Sequence, residues 1–442
     1  MGKLLLWVGL LLMLKHHDGA AHKLVCYFTN WAFSRPGSAS ILPRDLDPFL
    51  CTHLVFAFAS MNNNQIVPKD PLDEKILYPE FNKLKERNRG LKTLLSVWGW
   101  NFGTSRYTKM LSTFSNRERF VNSVNALLRT HGFDGLDLFF LYPGLRGSPE
   151  HDRWTFLSLL EELLQAFKNE AQRTMRPRLL LSDAISGDPH VIQKAPDFLR
   201  RSEGSDGAPG HTTASLWVDI SIIPGWASRS ESKGLTSILL ESPVDVHRTS
   251  AALVERQWHP TPVLLPGKSH GWRSLIPGFH QRLVLRLTWK LEKVTGHNSH
   301  LFSLPGDPKS SAYAMSYWRQ LGVPPEKLLM GLPTYGCTFH LLRASQNELG
   351  AEDVGPASPG KYTKQAGFLA YYEICSFIEG MNKRWIDDQH VPYAFKGKEW
   401  VGYDDAISFS YKLLVITTRP SICMNLTTLR ASMSGIIVFV LL

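Results

Sequence analysis

The sequence predicts an α/β fold built on parallel strands. Short apolar runs alternate with longer helical stretches through the first half of the chain, and the clearest of those runs is apolar on both faces. Size agrees: 442 residues, 43% hydrophobic and 20% charged, suffice for about three ordinary domains or for one α/β barrel.

Residues 24–28 (LVCYF) form the first predicted strand and 52–59 (THLVFAFA) the second, which has no polar face and must be covered on both sides. Residues 92–97 (KTLLSV), 132–140 and 177–185 (PRLLLSDAI) are the third, fourth and fifth. Helices fall between them. In 117–129, Phe120, Val121, Val124, Leu127 and Leu128 recur at three- and four-residue spacing, and 154–167 is a second helical stretch. This rhythm implies crossover connections and hence parallel strands. Residues 327–335 (KLLMGLPTY) supply a later strand, with Pro333 near its end, where a loop should begin.

The middle breaks the rhythm. Residues 195–291 are rich in Ser, Gly, His, Pro and isolated Trp, with no amphipathic helix of useful length, and read as an insertion or a replaced segment. Within it, 217–223 and 282–288 are candidate strands. Residues 413–442 hold only two charged side chains, Arg419 and Arg430, and end in GIIVFVLL, too short to span a bilayer.

At the amino terminus, Lys3 precedes the apolar run 4–14, and Gly19-Ala20-Ala21 follows. This is the pattern of a secretory signal peptide cut after Ala21. The expected location is therefore extracellular, by way of secretory vesicles, where disulfides are permitted. Cys26 and Cys51 are the pair expected to join the first two strands, leaving Cys337, Cys375 and Cys423 with an odd thiol among them. Asn425-Leu426-Thr427 is the N-glycosylation sequon. The net charge of +10 comes with Lys and Arg interspersed with Asp and Glu, as in 83–87 (KLKER), which reads as a solvated surface and not as a nucleic-acid site. No run of 18 apolar residues marks a membrane span, and no C-x-x-C pair or His/Cys cluster marks a metal, so neither metal nor cofactor is expected.

The sharpest motif is 133–144, FDGLDLFFLYPG. It resembles the fourth-strand D-G-x-D-x-D-x-E-Y-P signature of glycoside hydrolase family 18, the chitinases and chitinase-like lectins. Residues 95–101 (LSVWGWN) resemble the family's third strand, 27–31 (YFTNW) its first and 332–336 (LPTYG) its seventh. Residues 368–375 (FLAYYEIC) and 400–405 (WVGYDD) resemble its inserted small domain. The resemblance implies a TIM-type (β/α)8 barrel over 22–194 and 292–336, a small α+β insertion domain over 337–411 and an atypical tail over 412–442. The sixth and eighth strands are atypical or missing, because unrelated sequence stands at 195–291 and after 412. Both breaks look like intron-derived or mis-joined coding sequence.

In that family, the motif's last glutamate protonates the leaving oxygen, and the aspartate two residues earlier orients the substrate's N-acetyl group, a substrate-assisted scheme. Here Leu141 and Phe139 hold those positions, and neither has a proton to give or an acceptor to offer. Asp134 and Asp137 remain, and both are read as packing and capping the barrel core. The resemblance places a carbohydrate-binding set at the barrel mouth: Tyr27, Trp31, Phe58, Trp98, Gly99, Trp100, Asn101 and Tyr142. Two departures weaken it: Trp98 replaces the first glycine of the family's G-G pair, and Pro71-Leu72 replaces an acid-Trp pair. The wording of 133–156 is closest to a catalytically degenerate, secreted branch of the family. That implies a non-enzymatic protein whose partners are chitin-like or N-acetylglucosamine-containing glycans and glycoproteins of the gamete and early-embryo surface, the zona pellucida among them, in support of fertilization. The alternatives are an interaction or signalling protein without sugar affinity, and a variant that folds poorly. An active chitinase is the least favoured.

Overall fold

The computed structural model describes residues 23–99, 102–140, 142–188, 191, 219–223, 293–303, 309–321, 323, 327–418 and 425–426. Trp100, Asn101, Leu141, Cys423, residues 1–22, on which the expected leader falls, and most of 195–291 and of the tail lie outside the described residues.

The predicted strands stand side by side in one sheet. β1 (Val25–Thr29) pairs in parallel with β2 (His53–Asn62), β2 with β4 (Lys92–Trp98), β4 with β5 (Gly135–Phe139) and β5 with β6 (Leu180–Ser186). A short hairpin strand, β3 (Gln65–Val67), hangs antiparallel on β2. The sheet continues in parallel through β7 (Asp219–Ile223), β8 (Leu328–Met330) and β15 (Asn425–Leu426). This makes eight parallel strands in chain order, the arrangement of a TIM-type (β/α)8 barrel. The sixth and eighth positions are therefore not missing: they are filled by five and two residues from the segments that broke the sequence rhythm.

Helices cover the outside. α1 (Tyr78–Arg87), α2 (Ser105–Leu111), α3 (Phe114–His131) and α4 (Asp152–Thr174) lie between the early strands, and α5 (Ser311–Gln320) precedes β8. α3 begins where the Thr113 hydroxyl accepts the Asn116 N–H at 3.2 Å and ends on Gly132 in the left-handed conformation, φ 74°. Gly132 is thus a helix cap, and the fourth strand starts three residues later than the apolar run suggested. Gly135 opens that strand because a Cβ there would meet the Leu180 carbonyl of β6 at 2.5 Å.

Strand residues alternate between two cores. Phe28, Phe56, Leu95, Val97, Leu136, Leu138, Phe140 and Leu181 pack outward onto Phe120, Val124, Leu128, Phe156, Leu160 and Phe167 of α3 and α4. Their neighbours Val25, Tyr27, Val55, Ala57, Leu94, Phe139, Ala184 and Leu329 fill the barrel interior. Cys26 and Cys51 form a disulfide that ties β1 to the approach to β2.

Residue 335 does not end the seventh strand, as the apolar run suggested. β8 stops at Met330, and Tyr335 begins β9 (Tyr335–Leu341) of a second, antiparallel sheet. That sheet runs β10 (Asp353–Pro356), β9, β14 (Glu399–Gly402), β13 (Val391–Lys396), β12 (Asn382–Ile386), with β11 (Phe368–Ala370) on β9 and α6 (Tyr371–Phe377) following it. α7 (Ala406–Thr418) returns the chain toward β15. Cys337 is buried and Cys375 exposed.

Candidate active-site remnant and barrel mouth

β5 carries the motif. Asp137 points into the interior, wholly buried, and accepts hydrogen bonds from three hydroxyls: Tyr27 of β1 at 3.2 Å, Ser96 of β4 at 2.6 Å and Ser182 of β6 at 2.6 Å. Burial pushes its carboxyl up to about 6, against the pull of those three donors. Asp183, beside it on β6, is also buried, and desolvation followed by the charge of Asp137 raises it well above the usual carboxylate range.

Phe139 stands two residues further along the same face, ~6.6 Å up the strand. It is buried, and its ring meets Tyr27 at 6.4 Å and Phe58 at 5.3 Å, both edge-on. Phe58 lies nearly parallel to Trp31, with centroids 6.2 Å apart, and these two rings are only partly buried. Gly99, at φ 89°, allows this packing, since a Cβ would come within 3.1 Å of the Phe58 ring. Tyr142 is buried in the interior cluster. Tyr27, Phe58, Gly99, Phe139 and Tyr142 are thus brought together around the barrel axis, with Trp31 at its rim.

Trp98 is not among them, and the expectation of a mouth residue is corrected. Its φ of 92° breaks the alternation of β4, so the side chain follows Val97 outward instead of turning in above Ser96. The indole stacks on Phe120 at 5.3 Å and meets Tyr107 and Phe140 edge-on, at 4.9 and 6.2 Å. A left-handed backbone costs a non-glycine residue ~1–2 kcal/mol, and burying the indole offsets it.

Asp134 sits just before β5, at the opposite end of the strand from Phe139. It accepts from Lys85 Nζ at 3.0 Å and the Thr93 amide at 2.9 Å, joining α1 to the sheet. The backbone of Asn425 pairs with Leu329 and that of Leu426 with Met330, and Thr427 of the sequon lies outside the described residues.

Several polar residues at the rim escaped the sequence reading. Asp73 is buried and accepts both bonds of the Asn30 amide, at 3.1 and 2.9 Å, and the Asp70 N–H at 3.1 Å; burial raises its carboxyl to about 6. It follows Pro71-Leu72 directly, so the signal lay one residue beyond the departure already noticed. A second polar cluster lies under α7. Lys412 Nζ donates to both Asp404 oxygens at 2.6 and 2.7 Å and to the Ser299 carbonyl at 2.6 Å, all in the interior. His297 donates Nε2–H to the Tyr403 carbonyl and accepts the Ser299 amide at Nδ1; burial keeps it neutral, its pKa well below the ordinary value.

A barrel with this motif on its fourth strand and an antiparallel sheet inserted after the seventh matches one family model, glycosyl hydrolases family 18, over residues 23–202 and 278–420. The chain belongs to that family. Among curated relatives it is 72% identical to the oviduct-specific glycoprotein of Ovis aries, over 94% of this chain and 64% of the relative, so it spans less than two thirds of that protein's length. It is 38% identical to chitotriosidase-1 of Mus musculus, over 92% of this chain and 73% of the relative. Among solved structures, human YKL-39, described as a pseudo-chitinase with retained chitooligosaccharide binding properties, superimposes with a TM-score of 0.68 at 32% identity, covering 89% of each chain. The two family matches leave 203–277 between them, inside the segment that broke the sequence rhythm.

Proposed function

We propose that this chain is a secreted, non-catalytic chitinase-like glycoprotein that binds N-acetylglucosamine-containing glycans at its barrel mouth. The observation that carries the reading is Phe139. On the face where the family's motif presents a carboxylate, this chain presents a buried phenyl ring, packed between Tyr27 and Phe58. Asp137 beneath it is enclosed by three hydroxyls and cannot reach a sugar past that ring. Losing the general acid alone removes ~10²–10⁴-fold of rate, and the orienting hydrogen bond is lost with it. Trp31 and Phe58 keep exposed ring surface of the kind sugar faces stack on. The leader-like amino terminus and the Cys26–Cys51 disulfide support secretion. Likeness to oviduct-specific glycoproteins supports an oviductal setting; the partners proposed there are surface glycoproteins of gametes and the early embryo, the zona pellucida among them.

Affinity electrophoresis of folded protein through gels containing soluble chitin derivatives tests the binding half; retarded mobility is expected, and unchanged mobility overturns it. A turnover assay with a chito-oligosaccharide tests the catalytic half; measurable hydrolysis overturns the assignment of Leu141 and Phe139. A second reading, an interaction protein without sugar affinity, is favoured by one observation: Tyr27, Tyr142 and Trp98 of the expected aromatic set are all buried.

A further inference from the structure

The rim of the barrel carries two cations whose donors are not consumed by the carboxylates around them. Lys69 is exposed, with its ammonium 5.3 Å from the centroid of the Trp31 ring, and among the described residues it makes no hydrogen bond or ion pair. Arg35 donates Nη2–H to Thr29 Oγ1 at 3.4 Å, while its Nη1 is buried with no hydrogen-bond partner. The Tyr372 hydroxyl, within the electrostatic reach of Arg35, is also buried and unpartnered.

Three carboxylates lie close enough to act on these cations: Asp70 and Asp73 on Lys69, and Glu373 on Arg35. All three are occupied by N–H donors. Asp70 accepts the Leu72 amide at 2.8 Å, and Asp73 accepts Asn30 and the Asp70 amide. Glu373 accepts three backbone amides, of Tyr362 at 2.6 Å, Thr363 at 2.9 Å and Ala370 at 3.0 Å. A guanidinium N–H and a hydroxyl buried without partners are costly unless something supplies the acceptor.

We propose, resting on the glycan-binding reading above, that this mouth selects glycans carrying an anionic group, a sulfate ester or a carboxylate, which Lys69 and Arg35 hold while a neighbouring sugar ring stacks on Trp31. Both groups offer the oxygen acceptors that a guanidinium fork and an ammonium recognise. A neutral chito-oligosaccharide satisfies the aromatic ring but leaves these donors without a charged acceptor.

The test is a fluorescence or calorimetric titration of the full chain with three probes: the neutral N-acetylglucosamine tetramer, its 6-O-sulfated form, and a sialylated N-acetyllactosamine. Each is measured in 50 and 300 mM salt. At least one anionic probe is expected to bind about tenfold or more tighter than the neutral tetramer at low salt, with the advantage shrinking at high salt. Preference for the sulfated probe assigns a sulfate site, and preference for the sialylated probe a carboxylate site. K69Q and R35Q should each bring the ratio of anionic to neutral affinity toward one. K69Q alters an exposed side chain, so together with the salt series it decides the matter if R35Q does not fold. Equal affinity for all three probes overturns the proposal and leaves the glycan-binding reading standing. No binding of any probe by folded protein overturns both.

Discussion

Two buried aspartates in this molecule are held by opposite means. Asp404 is paired with Lys412, which reaches both of its oxygens from α7. Among the described residues Asp137 accepts from no cation and is held by three neutral hydroxyls from three different strands. Burial raises the carboxyl in both cases; at Asp404 the opposing charge of Lys412 is the first of the forces pulling it back, whereas at Asp137 only hydroxyl donors do so. The difference separates a clasp from a remnant. An ion pair in the interior joins 295–300, 403–404 and α7, and loses heavily if one partner goes. A carboxylate among hydroxyls can take up a proton without leaving a charge behind, and it sits under the Phe139 ring, the position proposed above to have lost a carboxylate.

Removing one half of the clasp should have the largest effect. K412M leaves Asp404 buried without its cation and should destabilise by ~3–5 kcal/mol, read by thermal or chemical denaturation. The double change K412M with Asp404→Leu should recover much of that loss; a double variant no more stable than the single would mean that the network contributes through more than the pair.

Asp137 should show itself in pH dependence. Its folded carboxyl titrates at about 6 against an ordinary value of 3.8, so the folded state binds more protons than the unfolded state between these limits. Stability from this group is then greatest below about pH 4 and falls as pH rises toward 6, by up to roughly 3 kcal/mol. Asp73, raised in the same way, adds to the slope. Asp137→Asn should flatten this part of the stability–pH curve while Asp73 keeps its share, and an unchanged slope would show that Asp137 does not titrate as described.

Trimming the cradle should cost less. Tyr27→Phe removes the 3.2 Å donor and should cost ~1 kcal/mol at neutral pH while raising the apparent pKa of Asp137. The smallest effect expected is a difference between two variants of the outward-turned tryptophan. Both W98A and W98G vacate the packing on Phe120 and Tyr107, but glycine accepts a φ of 92°. W98G should therefore be the more stable of the two by ~1 kcal/mol, although it is smaller.

How much was legible follows from how far apart the interacting residues lie. The early strands and α3 and α4 were readable because period-two and period-3.6 patterns are local, and the capping of α3 by Thr113 and Gly132 explains why its ends, and the start of β5, fell where they did. The motif on β5 was readable because its residues are contiguous. Trp98 was misplaced because one backbone angle, φ 92°, reverses the side to which a strand residue points, and composition carries no mark of it. Asp73, Arg35 and Tyr372 were missed because they come from loops and a helix that only the fold brings to one rim.

By itself, the sequence determined the parallel α/β architecture and the identity of the residues along the β5 motif, with Phe139 and Leu141 among them, and it pointed to Cys26 and Cys51 as a pair, since each is written in local pattern or in the identity of single residues. Tertiary structure alone decided that Asp219–Ile223 and Asn425–Leu426 occupy the sixth and eighth strand positions, that Trp98 belongs to the outer core, and that Lys412 meets Asp404. These depend on which distant strands exchange hydrogen bonds and on which charges share a dry interior, and such pairings exist only once the chain has closed on itself.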